Sequence, residues 1–106
     1  MDGYYQMPKA LIYQERYKGL STEAKVLYCF MLDRRSLSAK NGWKDERGRT
    51  YIYFTVEEAM ELLRCHSQKV TKLMKELEDE MVALIFRKNK GQGRPSIIYV
   101  DLPVTV

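Results

Sequence analysis

Two short stretches of this 106-residue sequence gather side chains that could grip a polyanion. Between His66 and Lys75 stand Lys69, Lys72 and Lys75, with Ser67, Gln68 and Thr71 among them and no acid. Between Arg87 and Arg94 stand Arg87, Lys88, Lys90 and Arg94, again with no acid, around Gly91, Gln92 and Gly93. The chemistry open to such groups is recognition rather than reaction. Gln can span the edge of adenine, Lys can reach guanine or a phosphate, and a Thr methyl can pack on thymine. Arg suits a narrow minor groove. Four acids, Glu76, Glu78, Asp79 and Glu80, follow the first stretch at once. Charge sorted by sign along a chain is the footprint of a polyanion binder. The competing reading is plain solvation of surface lysines.

Other chemistries find little support. Cys29 and Cys65 lie far apart, and His66 is the single histidine. Cys29 falls in an apolar helical run and reads as a small hydrophobe. A disulfide is possible but unnecessary at this size, and the composition suggests a reducing compartment. Cys65 beside His66 lacks the four-ligand spacing of a structural zinc site. No nucleophile–base–orienter arrangement or phosphate-binding glycine loop is present, so no enzyme, metal or cofactor is expected.

Composition agrees with one soluble domain. Hydrophobic residues make up 45% and charged residues 30%, with a formal net charge of +4. A chain of this size buries roughly two thirds of its unfolded surface and needs no staples. The longest apolar run, Val26 to Leu32, is far short of a membrane span. The first residues lack the layout of a signal peptide. The expectation is a single domain over residues 1–106, with an extended N-terminal segment of about 20 residues.

The elements that must position the two basic stretches follow from periodicity. Residues 4–9 read as extended, because Pro8 biases its predecessor away from the helix. Residues 10–17 suit a short helix or turn. Ser21 is a good N-cap, Glu23 suits the first turn, and Ala24, Leu27, Tyr28, Met31 and Leu32 follow at helical spacing. This helix is expected to end near Arg35, be buried nearly all round, and lead into an irregular stretch over 36–49. Thr50 to Phe54 reads as a strand. Thr55 and Glu58 form a capping box for a second helix ending near Arg64. Ser67 is the expected N-cap of a third, whose inward stripe is Val70, Leu73, Met74, Leu77 and Met81. Leu84–Lys88 and Ile97–Leu102 read as a hairpin with a basic tip.

Two helices about three residues apart have helix-turn-helix spacing. A hairpin straight after the second of them is a wing, and the strand over 50–54 can pair with its edge. The expected fold is α+β, a winged helix-turn-helix. Put Val70 at the centre of the third helix's buried face and turn about 100° per residue. Gln68, Lys72, Lys75 and Asp79 then reach the opposite pole, Thr71 lies beside them, and Lys69 and Glu76 flank the other side. The candidate site is therefore Ser67, Gln68, Lys69, Thr71, Lys72 and Lys75 on the helix, with Arg87, Lys88, Lys90, Gln92 and Arg94 on the wing. The acidic end of the helix would repel a polyanion, so its N-terminal half is the expected entrant into a major groove.

Particular residues carry a resemblance. They are Gln6-Met7-Pro8-Lys9-Ala10-Leu11, Tyr17-Lys18-Gly19-Leu20-Ser21 leading to Ala24-Lys25-Val26-Leu27-Tyr28, Asp33-Arg34, Leu37-Ser38, Asn41-Gly42-Trp43-Lys44-Asp45-Glu46, Gly48, Tyr51 and Tyr53. Over nearly the whole chain these resemble the N-terminal domain of RepA_N-type replication initiators of plasmids from Gram-positive bacteria. The resemblance implies a cytoplasmic protein that binds repeated double-stranded DNA sites at a plasmid origin, often as a homodimer. It also implies that host replication proteins are recruited through a C-terminal domain outside this sequence. The family's groove helix falls on Ser67–Lys75 and its wing on Arg87–Arg94.

Trp43 is expected to anchor the long loop against the core, a dimer contact being the alternative. Asp45 and Glu46 are expected to pair with Arg34, Arg35 or Arg47. Tyr4, Tyr5 and Met7, in the extended segment, are the candidate dimer residues, since Tyr is enriched at interfaces. Two other functions remain open at this point: a winged helix that binds protein in a replication or partition complex, and a transcription regulator.

Overall fold

A computed structural model describes residues 3–89 and 96–103. The chain runs without regular structure to a single helical turn, α1 (Ala10–Tyr13), and a 3-10 turn over Glu15–Tyr17. These two short pieces deliver Leu11 and Tyr17 into the core. α2 (Thr22–Lys40), α3 (Val56–Leu63) and α4 (Ser67–Glu78) follow, then a hairpin of β1 (Ile85–Lys88) and β2 (Ile97–Val100). The architecture is the winged helix-turn-helix expected, with one core shared by all three long helices and the hairpin.

α2 begins as its sequence indicates. Ser21 Oγ accepts from Ala24 N at 3.1 Å, and Glu23 stands in the first turn. The helix runs five residues past the expected end at Arg35. Nothing in Ser36–Lys40 breaks a helix, and Ser38 is buried. The stop comes at Asn41-Gly42, where Gly42 takes φ +74°. Gly42 N donates to Ala39 O at 3.2 Å and Trp43 N to Ser38 O at 3.0 Å. That pair of bonds is a Schellman closure, which needs a left-handed residue at the glycine position.

The loop over 43–51 is held by its own groups. Asp45 Oδ1 accepts from the backbone N–H of Arg47 and of Arg49, each at 2.9 Å, and Asp45 Oδ2 accepts from the Tyr99 hydroxyl at 2.7 Å. These bonds hold the Asp45 carboxyl below its usual pKa, the Arg49 backbone bond foremost. Of the expected partners Arg34, Arg35 and Arg47, Arg47 meets Asp45, through its backbone N–H, whereas Arg34 reaches Glu58 instead, at 2.6 Å. Trp43 is not a core anchor either. It is 42% exposed and sits in a surface cluster with Tyr51 and Tyr53. The strand expected over 50–54 contracts to two single bridges, Lys44 with Thr50 and Ile52 with Ile98. Ile52 alone is positioned to exchange both backbone bonds with Ile98, at 2.8 and 2.9 Å.

α3 has the full capping box of Thr55 and Glu58. It closes on Arg64 in the left-handed region at φ 54°, a conformation that costs a non-glycine residue roughly 1–2 kcal/mol. The N-cap of α4 is His66 rather than Ser67, which is already helical; no side chain caps this end. Val70, Leu73, Met74 and Leu77 are buried as the stripe predicts. Met81 is not part of it and is 76% exposed. The helix has ended by then: Asp79 is extended, and its Oδ1 accepts from Met81 N at 2.8 Å.

β1 and β2 pair antiparallel, Ile85 opposite Val100 through Lys88 opposite Ile97. β2 is buried along its whole length because it lies between β1 and Ile52, whereas β1 buries only Ile85. The Tyr28 hydroxyl, deep in the core, donates to Asp101 O just beyond β2.

Two stability predictions follow. Added at Gly42, a Cβ would meet nothing within 4 Å, so Gly42→Ala tests backbone strain alone. It should lower the unfolding free energy by roughly 1–2 kcal/mol in urea, and Gly42→Asn by less. The Glu58 carboxyl is held below its usual 4.5, first by the Arg34 guanidinium and then by the Thr55 backbone. Its folded pKa is depressed, so its stabilisation is whole above about pH 4.5 and fades as pH falls below. The gap in urea midpoint between wild type and Glu58→Gln should therefore be open at pH 7 and narrow toward pH 3.

Candidate nucleic-acid interface

α4 is fastened along one stripe and free along the other. Ser67, Gln68, Lys69, Thr71, Lys72 and Lys75 are all exposed, as their spacing requires. Gln68, Thr71, Lys72 and Lys75 have no side-chain partner among the described residues, so two ammonium groups and two polar tips project from one helical face. Lys69 differs. Its Nζ lies 2.6 Å from Glu23 Oε2 at the start of α2. The hydrogen bond to that carboxylate raises the lysine's pKa.

Three of the four acids that follow Lys75 have structural work. Glu76 Oε1 accepts from Ser21 N at 2.8 Å, and its Oε2 accepts from Ser21 Oγ–H at 2.9 Å. The residue that caps α2 is thereby held by α4. Glu78 Oε2 accepts from Arg87 Nε and its Oε1 from Arg87 Nη2, both at 2.8 Å. Asp79 caps the turn after the helix. The sign change along α4 is thus a division of labour. The acids tie the helix to α2 and β1, and the cations are left to the open face.

On the wing, Arg87 is not a free guanidinium. It forms the two-point pair with Glu78, which pushes its pKa further up. Lys88 is exposed beside Phe86 and Tyr99. Ser96 Oγ–H donates to Asn89 Oδ1 at 2.6 Å across the foot of the hairpin. Lys90, Gln92 and Arg94 lie outside the described residues. Between α4 and the hairpin runs a small groove of about 180 Å³, lined in part by Tyr53, Thr55, Met74, Arg87 and Ser96. Tyr53 and Thr55 were not among the sequence candidates; only the folding of the 50–54 segment onto β2 brings them there.

Tyr4, Tyr5 and Met7 are exposed on the N-terminal arm, at 64%, 49% and 37%. Tyr5 meets Phe30 of α2 edge-on, with ring centroids 4.8 Å apart. The arm and α2 frame a groove of about 560 Å³ that includes Cys29, Leu32 and Leu102. No helix among the described residues is long and apolar enough to cross a membrane.

Comparison with known proteins places this arrangement. The family described as replication initiator protein A (RepA) N-terminus matches residues 3–104. A 41 kDa protein of Lactobacillus helveticus is 31% identical over 104 residues. The match covers 94% of this chain but only 30% of that protein. A solved structure described as the N-terminal domain of a DNA-binding protein superposes with a TM-score of 0.85 at 37% identity, covering 99% of this chain and 79% of that one. A second, described as a Rep–DNA complex, has a TM-score of 0.84 at the same identity and coverage. A third, described as an MDR initiator, has a TM-score of 0.81 at 37% identity and covers 99% of this chain and 81% of its own. The chain belongs to the replication initiator protein A N-terminus family.

Proposed function

We propose that this domain binds specific double-stranded DNA at a plasmid replication origin, and that it does so at repeated sites as a homodimer. The observation that carries the reading is the open face of α4. Gln68, Thr71, Lys72 and Lys75 project together, while every acid of that helix is turned to a partner within the fold. The N-terminal half of α4 enters the major groove. There Gln68 and Thr71 read base edges and the two lysines meet guanine or phosphate. Lys88 and the wing tip, with Lys90, Gln92 and Arg94, follow the adjacent backbone and minor groove. The solved relative described as a complex with DNA supports the same use of the fold.

The exposed Tyr4, Tyr5 and Met7 supply the contact between copies. Work of this kind is done in the cytoplasm and involves no catalytic step or cofactor. Recruitment of host replication proteins is placed outside this domain, whose match to the 41 kDa relative covers 30% of that protein.

The test is selection from random duplex DNA, then affinity for the recovered duplex across a salt series. Wild type should show a shared motif and a steep salt dependence. Lys72→Ala and Lys75→Ala should each reduce the slope of log K against log salt by roughly 1. Gln68→Ala should change the recovered motif more than the slope. Three variants with unaltered affinity and motif would overturn the groove assignment. A mass that stays monomeric at all concentrations in ultracentrifugation, with and without the duplex, would overturn the dimer.

A further inference from the structure

The wing and α4 act together on one duplex at least cost when their relative position is set before DNA arrives. The backbone between them is a short turn closed on Asp79, whose O accepts from Val82 N at 2.9 Å and from Ala83 N at 2.6 Å. Asp79 leaves the helical region at ψ 137°, Ala83 is left-handed at φ 49°, and β1 buries Ile85 alone, so this turn fixes where the hairpin starts more than how it leans. One backbone bond, Leu84 N to Leu77 O at 3.0 Å, ties the base of the hairpin to the helix. Buried Leu84 and Ile85 share the core with α4, and a side-chain pair joins Glu78, the last residue of α4, to Arg87 in the middle of β1. Two parallel hydrogen bonds from a planar guanidinium fix direction as well as distance, which a lysine's single point charge does not. Arg87 also stands opposite Ile98, the residue that carries the bridge to Ile52. The pair therefore joins the end of α4 to the β1 position opposite the residue bridged on both sides.

We propose that Arg87 and Glu78 form a brace that sets the angle of the wing to α4, so that Arg87 acts as a positioning residue for DNA recognition and not as a DNA contact. This rests on the DNA-binding reading above. With the brace in place the wing meets the duplex already oriented. Without it each binding event must also order the hairpin, a cost that falls on the specific complex.

The experiment uses the whole chain, the duplex recovered by selection and a random-sequence duplex of equal length. Glu78→Gln keeps size, and Arg87→Lys keeps charge but removes the planar fork. Each should weaken binding to the selected duplex about tenfold, and the double variant no more than either alone, the mark of a shared interaction. The salt slope should stay that of wild type, and binding to the random duplex should change less than twofold. In wild type the Arg87 Nε–H resonance should be protected from solvent exchange both free and on the selected duplex.

Tighter binding or a steeper slope in Glu78→Gln would mean that Arg87 is a DNA contact held back by Glu78, and would overturn the brace. So would additive effects, unchanged specific affinity, or an Nε–H that loses protection on binding. If a variant does not fold, the wild-type resonance decides. If wild type binds neither duplex, the DNA reading itself fails and the brace goes with it; wild-type binding with no coupling between 78 and 87 sinks the brace alone.

Discussion

Burial of a single stripe of α4 organises this domain. Val70, Leu73, Met74 and Leu77 are almost wholly withdrawn from water, each such side chain stabilising the fold by roughly 1.5–3 kcal/mol. α2, α3 and β1 all pack against this helix. Once the stripe is committed, rotation of α4 about its axis is fixed, and with it the direction of Gln68, Lys72 and Lys75. The face available to a partner is the one the core does not use.

The flanks of the stripe complete the arrangement. On one side Lys69 and Glu76 reach Glu23 and Ser21 at the start of α2. On the other, Glu78 reaches β1. Most exposed ion pairs contribute little to stability, commonly under about 1 kcal/mol. Their value here is directional. They spend every acid on α4 inside the fold and leave its remaining lysines without a competing anion among the described residues.

Much of this was legible because it depends on local rules. Ser21, Thr55 and Glu58 mark helix starts by groups that bond within a few residues of themselves. The stripe of α4 marks its buried face by period alone, so the exposed candidates on that helix could be named from spacing. What could not be read was set by distance in space. Glu76 and Ser21 are 55 residues apart, and no local pattern announces that they meet. Arg87 looks like the other wing cations until the fold brings Glu78 beside it. The last turns of α2, past Arg35, carry no apolar period, so nothing in their spacing marks them as helix. Gly42 falls in a stretch that reads as irregular, and only the chain's arrival in helical form makes it a helix stop. Met81 obeyed the helical period after the helix had ended.

The sheet has a further consequence. β2 is covered on both sides, by β1 and by the single bridge at Ile52, so among the described residues the outer side of β1 is an unpaired edge. That edge is four residues long and carries Arg87 and Lys88. Short, charged edges resist pairing with strands of other molecules. Copies crowded side by side therefore meet through side chains and keep their sheets separate. Close packing of many such domains does not seed a growing β-ribbon.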